Sequence, residues 1–332
     1  MSERLVELAH GGGGTMTSEL IAVIREYVGN PMLDEMEDAA VVVLSGRTAF
    51  TTDSFVVTPI EFPGGDIGRL AVAGTVNDLA VTGAVPKFLS LSFVIEEGLP
   101  FELLRRILWS IQEAAAEAGA VIVCGDTKVV ERGQADGLYV TTAGLGSVPD
   151  GVDVSSHKAA PGDAVIISGQ IGLHGVAVMA AREGLGFASP AQSDVAPLNR
   201  MLEPVAAELD LHTMRDPTRG GCAAALHEIA DASGVSIVLE EDAIPVPEVV
   251  EGACSLLGTD PLEMANEGKA LVILPEHEAD RAVEILRSHK YGEGACRIGR
   301  VTERGSFPLT ITTALGDRLV DAPRGELLPR IC

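Results

Sequence analysis

Aromatic side chains are scarce in this chain: 4% of 332 residues, with one tryptophan, three tyrosines and eight phenylalanines. Basic residues are scarce as well, 24 against 48 acidic ones, for a formal net charge of −24. Such a field repels nucleic acid, and no basic stripe with interleaved aromatics offers bases a place to stack, so nucleic-acid binding is not expected. The five cysteines, at 124, 222, 254, 296 and 332, form no CxxC and no zinc-type Cys/His spacing. Neither a disulfide framework nor a structural zinc is expected, and a reducing cytoplasm is the expected location. No basic-then-apolar segment opens the chain, and no run approaches the ~20 apolar residues of a membrane span, which predicts a protein without membrane attachment. No GxxxxGK[ST] occurs, and the glycines of His10-Gly11-Gly12-Gly13-Gly14 lack the GxGxxG spacing, so P-loop and dinucleotide fingerprints are both missing.

What is present is apolar material in small pieces. Hydrophobic residues make up 46%, mean hydropathy is +0.26, glycine is frequent, and charged residues are 22%, too few for wholesale disorder. This predicts an α/β (α+β) protein of two domains, its tight strand-to-helix turns supplied by small residues. The spacing predicts helices at 18–28, capped by Ser18 and stopped by Gly29, at 67–79, and at 101–118 with Leu104, Leu108, Ile111 and Ala115 on one face and Gly119 at the end. A hairpin is predicted from Val41–Leu44 and Thr48–Thr52, and a strand at Val121–Val123 that delivers Gly125-Asp126 at its C-terminal end. A turn-rich stretch after Gly146 places the domain boundary near residue 152, giving an N-terminal domain 1–152 and a C-terminal domain 153–317. Helices at 173–183, 197–208 and 219–233 and strands at 235–239, 270–273 and 296–301 are predicted in the second. From residue 318 to 332 the composition reads as a flexible tail.

Candidate chemistry is spread along both halves. Asp38, Asp53, Asp66, Asp78 and Asp126 stand at predicted strand or helix edges; separated carboxylates that converge suit Mg²⁺, although each alone also suits a cap or turn. Asp78 stands out because it interrupts an apolar helical stretch, where an unpaired charge is expensive. Arg215-Asp216-Pro217-Thr218-Arg219-Gly220-Gly221 runs into a helix start, which makes an anion site with Arg219 or simply a capped helix. His174, in Gly172-Leu173-His174-Gly175, is either a proton carrier or a core histidine. Glu267 lies in the turn Asn266-Glu267-Gly268. Cys332 closes the sequence, where a thiol is an oxidation liability without a task. A tail starting at Ala322 spans at most ~35 Å, enough for a carrier arm that is loaded by a partner and unloaded in its own active site.

Taken together, Ala9 to Gly14, Thr52-Asp53-Ser54-Phe55-Val56-Val57, Phe62-Pro63-Gly64-Gly65-Asp66-Ile67-Gly68, Gly74-Thr75-Val76-Asn77-Asp78-Leu79-Ala80, Gly125-Asp126-Thr127-Lys128-Val129-Val130, Arg215 to Gly221, Ala265 to Gly268 and Pro329-Arg330-Ile331-Cys332 resemble the HypE family of hydrogenase maturation factors. These are carbamoyl dehydratases in the superfamily of aminoimidazole ribonucleotide synthetase, selenophosphate synthetase and thiamine monophosphate kinase. The aspartates and Asp-Pro-Thr-Arg-Gly-Gly are shared across the superfamily; the Pro-Arg-Ile-Cys ending singles out the family. Its members usually read His-Gly-Ser-Gly-Gly where this chain has its run of glycines. The resemblance implies the two-domain aminoimidazole ribonucleotide synthetase-like fold, a homodimer with first-domain strands in a shared barrel, and ATP beside that interface. It further implies that ATP and Mg²⁺ serve to dehydrate a carbamoyl group on Cys332 to a thiocyanate, a source of cyanide for the iron of [NiFe]-hydrogenase. Asp38, Asp53, Asp78 and Asp126 are then metal or phosphate residues, Lys128 a phosphate contact, and Glu267 or His174 the base; Asp66 and Arg219 are further nucleotide candidates. A HypF-like carbamoyltransferase is the implied donor and an iron-carrying HypC–HypD-like complex the acceptor. Other readings are a selenophosphate synthetase-like or thiamine phosphate kinase-like enzyme, or a non-catalytic carrier of Cys332. No cysteine stands near the N-terminal glycines, where a selenophosphate synthetase would be expected to carry one.

Overall fold

The computed structural model describes residues 4–36, 39–184, 191–323 and 330–332. The first half contains α1 (Gly14–Val28), β1 (Arg47–Phe55), β2 (Glu61–Phe62), β3 (Gly65–Asp66), α2 (Ile67–Val81), β4 (Val85–Glu96), α3 (Phe101–Ala118), β5 (Val121–Val130) and β6 (Leu138–Val148). The second contains β7 (Asp163–Ile167), α4 (Leu173–Glu183), α5 (Asn199–Glu208), β8 (Thr213–Arg215), α6 (Gly221–Ser233), β9 (Ser236–Glu240), α7 (Glu248–Leu257), β10 (Leu271–Pro275), α8 (Ala279–Arg287), β11 (Cys296–Thr302), β12 (Leu309–Thr313) and β13 (Gly316–Leu319).

The first half forms a four-stranded sheet in the order β1-β6-β4-β5, parallel only between β4 and β5. Parallel neighbours need a crossover, and α3 supplies it. Its apolar face, including Leu104, Leu108, Ile111 and Ala115, is buried, and Gly119 ends it at φ +74°, as the spacing predicts. Helix α2 is buried nearly all round, with the sheet and α3 on one side and α5 and β8 of the second half on the other. An apolar sequence with no solvent face is what such a sandwiched helix requires.

The second half is a seven-stranded sheet, β13-β12-β9-β11-β7-β10-β8, antiparallel except between β9 and β12. Its central strands are continuous apolar runs because helices cover both faces. Val165, Ile167, Leu271 and Ile273 face α6, while Ala164, Ile166, Val272 and Leu274 face α5 and α8.

Several local expectations are corrected. Residues 41–44 form no strand, with Val41 and Val43 exposed; β1 pairs instead with β6, about ninety residues further along the chain. Helix α1 starts at Gly14 rather than Ser18, whose hydroxyl donates to the Gly14 carbonyl within the helix. Strand β5 carries Gly125 and Asp126 through its middle because β4 pairs with it along nine positions. Arg318 and Leu319, expected in the tail, finish β13, and Val320 behind them is buried.

Candidate functional site

A cleft of about 540 Å³ opens between the two halves. The alternation of β1 turns Ala49, Thr51, Asp53 and Phe55 inward, so Thr51 and Asp53 reach it, and α2 brings Asp78 to the same wall. The Thr51 hydroxyl donates to Asp78 Oδ2 at 2.7 Å, and the Ser54 amide donates to Asp53 Oδ1 at 2.9 Å. Gly74, on α2, lies directly against β1; a Cβ there would stand 2.8 Å from the Phe55 ring. The opposite wall carries Arg215 from the end of β8, Asp216 and Arg219 from the loop into α6, and Glu267. The double glycine of that loop has a steric cause: Gly221 has φ +60°, and a Cβ on it would lie 2.4 Å from the Leu262 carbonyl oxygen. Cys332 also lines this cleft.

Burial dominates the electrostatics. It raises the pKa values of Asp53 and Asp78, and the Asp78 charge raises Asp53 further. Asp216 is pushed up to about 7, by burial first and then by Asp78. Glu267 is 3% exposed, and its Oε1 has no hydrogen-bond partner among the described residues. Burial, followed by Asp216 and Asp194, holds its carboxyl well above the ordinary range. The turn that carries it is tightly fixed. Asn266 accepts from the Gly172 amide and donates to the Pro217 and Met264 carbonyls, and the Glu267 amide donates to Asp194 Oδ1 at 3.1 Å. A side chain at Gly268 would put its Cβ 1.8 Å from the Asp194 carbonyl oxygen, which explains the glycine of Asn-Glu-Gly.

A second cleft, also of about 540 Å³, has Gly11, Gly13 and Thr17 on one rim, Asp126 and Lys128 on the other, and an apolar wall that includes Ile21 and Phe93. Lys128 donates to Asp126 Oδ1 at 2.8 Å, and that bond holds the Asp126 carboxyl below its usual value.

The expected metal set is therefore divided. Asp53 and Asp78 meet in the first cleft, Asp126 stands in the second, and Asp38 lies outside the described residues. Among the described residues no three His, Cys, Asp or Glu side chains gather at one point to hold a metal. Asp66 is corrected to a helix cap: it accepts from the Gly68 and Arg69 amides and from the Ser110 hydroxyl, and lines neither cleft. His174 is buried, with Ser193 Oγ at 2.8 Å from Nδ1 and the Ile331 carbonyl oxygen at 2.8 Å from Nε2. It is not among the residues that line the cleft, and both ring nitrogens are engaged, so it does not serve as the proton acceptor there. Arg219, Glu267 and Cys332 share the first cleft, and Lys128 the second. Asp194 carries no sequence motif that would single it out, and the only signal for Asp216 is the charged Arg-Asp pair ahead of a proline.

The chain matches two family models, "AIR synthase related protein, N-terminal domain" over residues 36–148 and "AIR synthase related protein, C-terminal domain" over residues 160–311. The carbamoyl dehydratase HypE of Rhodobacter capsulatus is 46% identical, with 100% of this chain and 99% of the relative covered. A crystal structure of the hydrogenase maturation protein HypE in complex with ATP superposes with a TM-score of 0.95 at 46% identity, covering 98% of this chain and 99% of the other. HypE in a HypE–HypF complex gives a TM-score of 0.81 at 48% identity, covering 93% of this chain and 100% of the other. With both domain models matched in order and likeness extending from end to end, the chain belongs to the HypE family of carbamoyl dehydratases, within the AIR synthase superfamily.

Proposed function

We propose that this protein dehydrates a carbamoyl group carried on the Cys332 sulfur to a thiocyanate at the expense of ATP, as a supplier of cyanide in hydrogenase maturation. The observation that carries this reading is the meeting of Cys332 with Glu267, Asp53, Asp78 and Arg219 in one interdomain cleft. An S-carbamoyl group has a poor leaving group in its amide oxygen. Transfer of the γ-phosphoryl group to that oxygen makes it a phosphate, with loss of one N–H proton. Cleavage of the C–O bond then releases inorganic phosphate, the second N–H proton leaves, and the C≡N bond is complete; ADP, phosphate and one net proton accompany the thiocyanate.

Glu267 is the proton acceptor in this scheme, since it lines the cleft with Cys332, its Oε1 is unpaired among the described residues, and burial makes its carboxylate more basic than an ordinary one. Arg219 bears charge on the transferring group at the α6 N-terminus. The second cleft is the place for ATP: apolar residues suit a base, and Lys128 with the glycine rim suits phosphates, which would meet the first cleft of the other subunit across the dimer interface. Asp53 and Asp78 fit a hard divalent cation, because they offer oxygen ligands and the same desolvation that raises their pKa values is relieved by a positive charge. Mg²⁺ held there supplies charge neutralisation to the polyphosphate. Phe50, exposed on the edge strand β1 at the rim of the first cleft, supports a homodimer in which first-domain sheets close a shared barrel. A HypF-like protein would load Cys332, and a HypC–HypD-like iron complex would take the cyanide. No helix among the described residues is long and apolar enough to cross a membrane.

Intact-mass spectrometry after incubation with a HypF-type carbamoylating system tests the reading. A carbamoyl adduct that loses one water only with ATP and Mg²⁺, and that is missing in Cys332→Ala, is the expected result. An adduct that persists unchanged with ATP, or that forms on another cysteine, overturns it.

A further inference from the structure

Residues 330–332 are held as a bound peptide is held. The Val56 amide donates to the Cys332 main-chain oxygen at 3.4 Å and the Thr58 amide to the Arg330 carbonyl at 3.2 Å, an antiparallel pairing just past the end of β1. Arg182, near the end of α4, bridges the two sides: Nε donates to the Thr58 carbonyl at 2.9 Å and Nη2 to the Arg330 carbonyl at 2.6 Å. The middle carbonyl, of Ile331, faces His174 Nε2. A carbonyl oxygen only accepts, so Nε2 carries the ring proton, and Nδ1 accepts from the Ser193 hydroxyl. Burial lowers the pKa of this ring and favours the neutral form that the arrangement requires. The Ile331 side chain is buried in the same core as Val57, and Arg330 forms an ion pair with Asp136.

The glycine-rich segment ahead of α2 serves the same seat. Phe62 packs edge-on against the His174 ring, with centroids 5.3 Å apart. Ser193 donates its amide to the Pro63 carbonyl at 2.8 Å and lies against Gly64, where a Cβ would come within 2.6 Å of the Ser193 nitrogen. Phe-Pro-Gly-Gly therefore lets Ser193 approach closely enough to fix the tautomer of His174.

We infer that His174, oriented by Ser193, and Arg182 are positioning residues that seat residues 330–332 by their main-chain oxygens and so present the Cys332 side chain to the cleft. The grip is on carbonyl groups and on Ile331, none of which changes when the cysteine side chain is modified, so loaded and unloaded forms are seated alike. The role in turnover rests on the dehydratase reading above; the seat does not.

Two measurements separate them. The rate at which iodoacetamide alkylates Cys332, read on the peptide released by cleavage after Glu326, reports how firmly the residue is seated. His174→Phe is expected to raise it about tenfold, the equivalent of one buried hydrogen bond, and Arg182→Ala to raise it at least as much. His174→Gln, whose side-chain amide can donate to the Ile331 carbonyl, is expected to stay within about threefold of wild type. ATP-dependent water loss from pre-carbamoylated protein should slow in the same order, with nucleotide-induced thermal stabilisation retained. Unchanged alkylation in both His174→Phe and Arg182→Ala overturns the seat; if His174→Phe does not fold, Arg182→Ala decides. Alkylation that responds as described, in a wild-type protein that never loses water with ATP, sinks the dehydratase reading and leaves the seat standing.

Discussion

Asp53, Asp78 and Asp216 bring three carboxylates to one cleft, and burial pushes each toward its protonated form. For Asp216 the sign of the pH dependence follows directly. Its folded pKa of about 7 lies above the ordinary 3.8, so the folded state holds the proton more tightly. The stability this confers is complete below the ordinary value and is lost as pH rises toward 7, levelling off above. In metal-free protein, Asp216→Asn should flatten the decline of the thermal midpoint between about pH 5 and pH 7. An unaltered slope would place the titrating group elsewhere. At this scale the sequence was informative where chemistry clashed with its surroundings, as with Asp78 amid apolar neighbours on α2. It misled at His174, whose partners, Ser193 and Ile331, arrive from distant parts of the chain and leave no mark near the histidine. Asp66 misled for the opposite reason: a buried cap and a ligand are the same residue type at the same kind of position.

Among the elements, α2 and α3 show how local signals and packing agree. Helix α3 is readable from its periodicity and glycine stop and spans the predicted residues; α2, apolar all round, is expected at 67–79 and runs on to Val81. Their closeness depends on Gly68, where an added Cβ would meet the Ile107 carbonyl oxygen at 2.5 Å and the Ile111 side chain at 2.9 Å. Backbone cannot yield as a flexible side chain does, so Gly68→Ala should cost about 1–3 kcal/mol of stability, measured by urea unfolding. A loss below about 0.5 kcal/mol would mean that the helices separate freely. The strands were harder to read. In β4 the buried Leu89, Leu91, Phe93 and Ile95 alternate with half-buried residues, a two-residue period that was present but went unread beside the stronger helical signals on either side. The partner of β1 lies in β6, and no local rule finds a pairing at that separation. Exposed valines at 41 and 43 imitate a strand without making one.

At the scale of the molecule, the halves are joined through Asn77 on α2. Its amide nitrogen donates to the Ala196 and Glu267 carbonyls, and its oxygen accepts from the Leu198 amide. One side chain thus fixes the turn that carries Glu267 one residue away from Asp78, and the cleft depends on the halves staying docked. Length and composition point to two domains and an α/β fold; they give no sign that a buried polar group would sit among the apolar contacts at the junction, because a single asparagine does not register in an average. The sheet order has a consequence for the proposed homodimer. Asp53 pairs across to Thr142, Thr142 to Leu91, and Leu91 to Gly125 beside Asp126, so the two aspartates stand at opposite edges. Three strand spacings, about 14 Å, separate them. If both serve one triphosphate, each must come from a different subunit. Asp53→Asn and Asp126→Asn proteins, each inactive alone, should then rescue one another when mixed and allowed to exchange subunits. About a quarter of wild-type turnover is the ceiling, since half the dimers are mixed and each keeps one intact site. Complementation between two dead variants would locate the reaction centre at the boundary of two chains; its failure would confine each centre to one.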